Sequence, residues 1–163
     1  MPDSTIDEEM NMRKKLKSGL NYNGQALVEM AIILPLLMLL VMGIFEFGRA
    51  MYIKNTLTHA ARAGARAAVV TPNIIDATDA TCGSGGNNSN IYQAACNSIY
   101  SGINKNDVTI DVTITDLNSS SSLNAGDMAE VKVEIINFRS KYRIIPFIPL
   151  PADLSGTTSM RYE

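Results

Sequence analysis

The chain is poor in the residues that carry catalysis and metal binding. Its 163 residues include one histidine, two cysteines and no tryptophan. His59 has neither a second ligand nor an acidic partner near it in sequence, so it reads as a surface residue and makes no case for a metal. Cys82 and Cys96 are too few for a zinc site and too far apart for a Cys-x-x-Cys pair. There is no Gly-x-Ser-x-Gly, no phosphate-cradling glycine loop and no nucleophile placed with a base, so an enzyme is not expected. Charge of one sign is missing too. With 14 basic and 16 acidic residues the net charge is −2 and the pI about 5.4, which argues against a nucleic-acid partner. The length leaves room for one small domain beside a membrane segment.

What the chain does have is a single apolar block. Met30 to Phe45 holds no charged side chain, and between Ala26 and Phe47 only Glu29 and Glu46 interrupt. Crossing a bilayer core takes roughly 20 apolar helical residues at about 1.5 Å each. The block meets that length, whereas a buried core helix would carry polar residues at every turn. It predicts a membrane span.

Upstream, Met1 to Asn23 is polar, with Asp7-Glu8-Glu9, then Arg13-Lys14-Lys15 and Lys17. So little apolar surface predicts a disordered segment or a frayed helix. Arg49, Lys54, Arg62 and Arg66 follow the span, which makes the basic residues even on its two sides. Those of the leader are denser, and this density favours a cytoplasmic N-terminus. No Ala-x-Ala-like site follows the apolar block, so removal by an ordinary signal peptidase is not expected.

Glu29 is the odd residue. A carboxylate inside a span costs on the order of 3 kcal/mol on insertion scales, which calls for a partner or a role. The plainer alternative is that it snorkels to the interface. Cleavage after Gly24 would make Gln25 the new N-terminus and Glu29 the fifth residue, one helical turn on. The new amine and the carboxylate would then share one helix end, where a carboxylate is favoured. Between neighbouring subunits the two groups would neutralise each other.

A basic leader, a glycine and a glutamate at that spacing before a long apolar helix resemble the processing site of type IV prepilins. Gln25-Ala26-Leu27-Val28-Glu29, Leu34-Pro35-Leu36-Leu37, Phe45-Glu46-Phe47-Gly48-Arg49 and Ala60-Ala61-Arg62-Ala63-Gly64-Ala65-Arg66 together resemble the TadE-like family. Its members are minor pilins, or pseudopilins, of the tight-adherence (Flp, type IVc) pilus machinery. Ser159-Met160-Arg161-Tyr162-Glu163 is similar to the family's ending. The resemblance is dense from Gly24 to Val70 and thin from Thr71 to Thr158. It implies cleavage between Gly24 and Gln25 by a prepilin peptidase, and Glu29 as an assembly carboxylate. It also implies helix-mediated contact with other pilus subunits, an inner-membrane assembly platform, membrane lipid around the helix, and no cofactor. Major pilins of this class are shorter than this chain, which points to a minor component. The alternative is an uncleaved membrane-anchored binding module outside the cytoplasm, for which Gly24 and Glu29 would have no use.

The expected fold is α+β and pilin-like: a long N-terminal helix, transmembrane in its first half, packed on a small antiparallel sheet. The expected divisions are a leader over 1–24, the span over 25–48, a continuation of the helix over 49–71 and an α/β head over 72–163. No helix breaker occurs before Thr71-Pro72, so the helix is expected to run from Gln25 to about Val70, roughly 69 Å long. Pro35 leaves the Ala31 carbonyl unpaired and invites a kink, which membrane helices tolerate. Gly43 and Gly48 do not make a small-xxx-small pair. Glu46 and Arg49 read as a surface pair at the boundary of the span. Ala60, Gly64 and Ala68 recur every four residues and offer a face of small side chains to a sheet. Arg62 and Arg66 lie on another face, either solvated or in contact with another subunit.

Thr71 to Asn90 reads as loop. In an oxidising compartment Cys82 and Cys96 would form a structural disulfide, and in the cytoplasm they would be free thiols. Ile91, Ala95, Ile99 and Ile103 are spaced for a short helix from Ile91 to Ile103. Val108, Ile110, Val112 and Ile114 alternate with polar residues, as do Val131, Val133 and Ile135, predicting two strands with one apolar face. Asp116 to Asp127, including Ser119 to Ser122, reads as a polar loop without the ligand ladder that calcium needs. Pro146, Pro149 and Pro151 exclude a helix or central strand. That apolar stretch either covers the domain's own core or lies on a membrane leaflet or partner. Leu154 to Met160 is expected as an edge strand.

Overall fold

A computed structural model describes residues 4–117, 125–146 and 148–162; the expected serine loop at Ser119–Ser122 lies outside the described residues. Helix α1 runs from Ser4 to Ala68 with Pro35 inside it. It begins well before Gln25, because no proline between Ser4 and Leu34 removes a backbone donor or blocks the preceding turn. It stops two residues short of Val70. There the Val70 and Thr71 N–H groups bond back to Ala67 and Ala68 at 3.3 and 3.2 Å, an i−3 pattern that tightens and closes the last turn. Pro72 then disfavours helical backbone at Thr71.

The chain forms two units, Met1–Ile44 and Phe45–Glu163. The first is helical where described. The second takes in the last part of α1 together with everything after it. That remainder is β1 (Ala77–Ala80), α2 (Ser89–Asn97), a 3-10 turn (Lys105–Asp107), β2 (Val108–Thr115), β3 (Met128–Ile135), α3 (Phe138–Tyr142) and β4 (Leu154–Arg161). The four strands form one antiparallel sheet in the order β1-β2-β3-β4.

The register makes one face of the sheet apolar. Val108, Ile135 and Leu154 align across it, followed by Ile110, Val133 and Gly156, then Val112, Val131 and Thr158. This is the alternation that the sequence predicts for β2 and β3, and it continues into β4. The other face carries Asp111, Lys132 and Glu134, with Lys132 paired to both carboxylates.

Helix α1 supplies the facing stripe. Glu46, Ala50, Ile53, Leu57, Ala60, Gly64 and Ala68 follow one another at intervals of three or four, and all are buried. Ala61 and Ala65 are buried beside Ala60, Gly64 and Ala68. The small side chains let the layers close up. A Cβ on Gly64 would stand 3.0 Å from Val131 Cγ1 and 3.5 Å from Ala95 Cβ. A Cβ on Gly156 would lie 2.6 Å from both Leu57 C and Thr58 Cα, so β4 approaches the helix backbone directly.

Two expectations need correction. The stretch Thr71–Asn90 is not all loop: Ala77–Ala80 forms the edge strand β1, with a register shift against β2. Its Ala-Thr-Asp-Ala sequence lacks the β-branched alternation that marks a strand. Helix α2 ends at Asn97, not Ile103; Ile99 and Ile103 stay buried but lie in the turns that follow. Residues 138–142 form the short helix α3, entered from Asn137 in the left-handed region, φ 59°. Beyond it no helix or strand occurs before Leu154 among the described residues, and Leu150 is buried against the core, as the covering-loop alternative expects.

Candidate functional site

The N-terminal site residues lie on one exposed helical surface. Gln25 Nε2 donates to Glu29 Oε1 at 3.2 Å, one turn apart, and both residues are exposed. A Cβ at Gly24 would meet nothing within 4 Å, so no packing within the chain calls for a glycine there. Leu27, Val28, Met30 and the large apolar residues from Ile32 to Phe47 are exposed, and none of the apolar window is buried. A soluble monomer does not leave a surface of this kind uncovered. Among the described residues this is one helix long and apolar enough to cross a membrane, and it supports a single spanning segment near the N-terminus.

Just beyond Ile44 the helix acquires partners. Glu46 and Arg49 do not pair with each other at the surface, as the sequence suggests. Glu46 is only 2% exposed, and its Oε1 accepts the Ile144 N–H at 3.0 Å. Its Oε2 is buried with no hydrogen-bond partner. Arg49 Nη1 donates to the Tyr142 carbonyl at 3.0 Å. Two side chains three residues apart thus hold two backbone groups that lie two residues apart, one on the last residue of α3 and one just beyond it. Hydrogen bonds to charged groups typically contribute about 1.5–3 kcal/mol, against the cost of taking the carboxylate out of water. The signal in the sequence was positional: Glu46 lies four and seven residues before Ala50 and Ile53, on the stripe that faces the sheet.

Tyr142 joins that segment to the sheet end of the head. Its hydroxyl accepts the Asn104 N–H and donates to Asp107 Oδ2, each at 3.2 Å, and its ring stacks on Phe138 at 5.5 Å. Burial pushes the Tyr142 phenol above its ordinary pKa. Lys141 bonds Asp107 Oδ1 at 2.8 Å and holds the Asp107 carboxyl below the usual carboxylate range. Nothing in sequence spacing links residues 104, 107 and 142; only the fold brings them together.

Cys82 and Cys96 are joined by a disulfide with a Cα–Cα distance of 5.7 Å, tying the loop after β1 to α2. His59 is exposed, as expected, and lines a shallow groove of about 560 Å³ with Tyr52, Asn55, Asn97 and Tyr100. Tyr52 and Tyr100 meet edge-to-face there at 5.6 Å. Arg62 and Arg66 are exposed. No cluster of three or more His, Cys, Asp or Glu suited to a metal occurs among the described residues. Glu29, the disulfide and the Ala60–Ala68 stripe thus occupy separate places along the chain, and no catalytic constellation assembles from them.

No curated protein and no solved structure shows significant similarity to the chain. Its N-terminal part is similar to a known family: residues 24–66, from Gly24 through Glu29 to the Gly64 stripe, match the family model of TadE-like proteins.

Proposed function

We propose that the chain is a minor pilin or pseudopilin of a tight-adherence (Flp, type IVc) pilus, with a structural role in assembly, at the tip or in adhesion. The observation that carries this reading is the family match over residues 24–66, whose large apolar side chains from Leu27 to Phe47 stand exposed along one helix. Lipid covers that surface before assembly, and the helices of other subunits cover it afterwards. The leader lies on the cytoplasmic side and the head in an oxidising compartment, in keeping with the Cys82–Cys96 disulfide. A prepilin peptidase cuts between Gly24 and Gln25. Glu29, held one turn from Gln25, then meets the α-amino group of a neighbouring subunit. An ATP-driven platform supplied by other proteins draws the helix from the bilayer.

N-terminal sequencing of the protein from native membranes, with and without the prepilin peptidase, tests this. Gln25 at the mature N-terminus only when the peptidase is present is the expected result. An intact leader under both conditions would overturn it in favour of an uncleaved, membrane-anchored binding module.

A further inference from the structure

Residues 142–144, at the end of α3 and just after it, are fastened to α1 at a point that determines their depth. Glu46 takes the Ile144 N–H at 3.0 Å, and Arg49 bonds the Tyr142 carbonyl at 3.0 Å. On the helix, Glu46 sits between Phe45 and Phe47, which are 68% and 63% exposed and close the apolar block. At about 1.5 Å per residue, the Glu46 backbone lies within one residue's rise of Phe45 and Phe47. A group hydrogen-bonded to its short side chain is held close to that level.

The segment is also built to be held there. Arg139 Nε bonds the Leu150 carbonyl at 2.7 Å and Arg143 Nη1 bonds the Pro146 carbonyl at 3.3 Å, so two arginines close the loop on itself. Pro146 and Pro149 lack the N–H groups that would otherwise need partners in an apolar layer. Leu150 turns into the core, whereas Ile144 is 60% exposed and Pro146 and Pro149 are exposed. Ile144 is therefore held near the level of Phe45 and Phe47, with the exposed Arg143 next to it in sequence.

We infer that the described residues of this loop, 142–146 and 148–150, form a membrane foot: the head rests on the lipid headgroup layer through them. Ile144 and the exposed prolines enter the boundary between headgroups and acyl chains, and Arg143 faces lipid phosphate. Glu46 is the residue that positions the foot. Its burial in an otherwise lipid-facing run follows from that task, because the loop shields the carboxylate from the acyl chains. This inference rests on reading residues 25–48 as a membrane span. Lipid is favoured over a protein partner because Glu46, which holds the loop, is flanked by Phe45 and Phe47, the exposed residues that end the apolar run.

The absence of tryptophan allows a direct test. Ile144→Trp places a single indole in an exposed position of the full-length protein. The protein is reconstituted in vesicles of phosphatidylethanolamine and phosphatidylglycerol with brominated acyl chains. Leu37→Trp, in mid-span, and Thr113→Trp, on the exposed polar face of the sheet, serve as controls. The indole at position 144 is expected to be quenched by bromines near the headgroups. The indole at 37 is expected to be quenched by deep bromines, and that at 113 only by aqueous iodide. Adding Glu46→Ala to Ile144→Trp should drop lipid quenching to the level of the 113 control, whereas Glu46→Gln, which keeps the acceptor, should restore it. If position 144 behaves like 113 while 37 is quenched deep, the foot is refuted and the span stands. If 37 escapes lipid quenching too, both fall. A shielded indole at 144 that bromines do not quench, and that becomes exposed on dilution with excess lipid, would assign the surface to a second copy of the chain and overturn the lipid assignment.

Discussion

Gly156 is the position where one methyl group should do the most damage. In β4 it faces the backbone of α1, where an added Cβ would stand 2.6 Å from Leu57 C and from Thr58 Cα. Its φ lies outside the left-handed region, so replacement imposes no backbone strain and the effect is steric alone. Backbone atoms cannot rotate away as a side chain can, so β4 and the helix must separate across the layer that holds Leu57, Val133 and Ile110. Overpacking costs about 1–3 kcal/mol, and a clash with helix backbone belongs at the upper end. Gly156→Ala should therefore cost about 3 kcal/mol, which for a domain of this size lowers the unfolding midpoint by about 10 °C. Gly64→Ala is the matched comparison. Its Cβ would meet the Val131 Cγ1 methyl at 3.0 Å, a side-chain contact. Alanine also gains up to about 1 kcal/mol over glycine inside a helix, so the net change should stay within about 1 kcal/mol of zero. Thermal unfolding of the detergent-solubilised protein, followed by the near-ultraviolet circular dichroism of its tyrosines, reads both variants; Tyr92 reports from the core at 4% exposure. Equal stability of the two alanine variants would refute the claim that β4 rests on the helix backbone.

Three further outcomes follow from other parts of the structure. Reducing the Cys82–Cys96 bond, or replacing both cysteines with alanine, should destabilise the head by about 3 kcal/mol on the chain-entropy account; an unmoved denaturant midpoint would remove the disulfide's structural role. If Glu29 serves assembly, Glu29→Ala should leave cleavage after Gly24 largely intact while reducing piliation, and wild-type pilus yield in that variant would count against the pairing with a neighbouring amine. Lys141 holds the Asp107 carboxyl below its unfolded value, so this contribution is present above the ordinary carboxylate range and lost as pH falls through the lowered pKa. The pair lies at the surface, with Lys141 39% and Asp107 24% exposed, so Asp107→Asn should flatten only a small part of the acid-side loss of stability, read as the unfolding midpoint between about pH 5 and about pH 2.

Much of the protein is determined by sequence because the forces concerned act locally. An uninterrupted apolar run from Met30 to Phe45 dictates a lipid-compatible helix whatever surrounds it. The alternation of Val108 to Ile114 and of Val131 to Ile135 sets which face of the sheet is apolar. The four-residue recurrence of Ala60, Gly64 and Ala68 marks a close-packing face before its partner is known. Tertiary structure decided the features whose partners are far apart in the chain. Ala77–Ala80 becomes a strand because β2 offers it an edge, not because its residues favour one. Ile99 and Ile103 keep their burial while losing their helix, since burial depends on what the core lacks and the helix stops where the chain turns toward β2. Glu46 shows the division most clearly. Its neighbours in sequence place it at the water's edge of a membrane helix with Arg49 as its obvious partner. Its neighbours in space, the Ile144 N–H above all, enclose it. A hydrogen bond spanning nearly a hundred residues leaves no mark in local periodicity, and only the closure of the fold around the helix makes it.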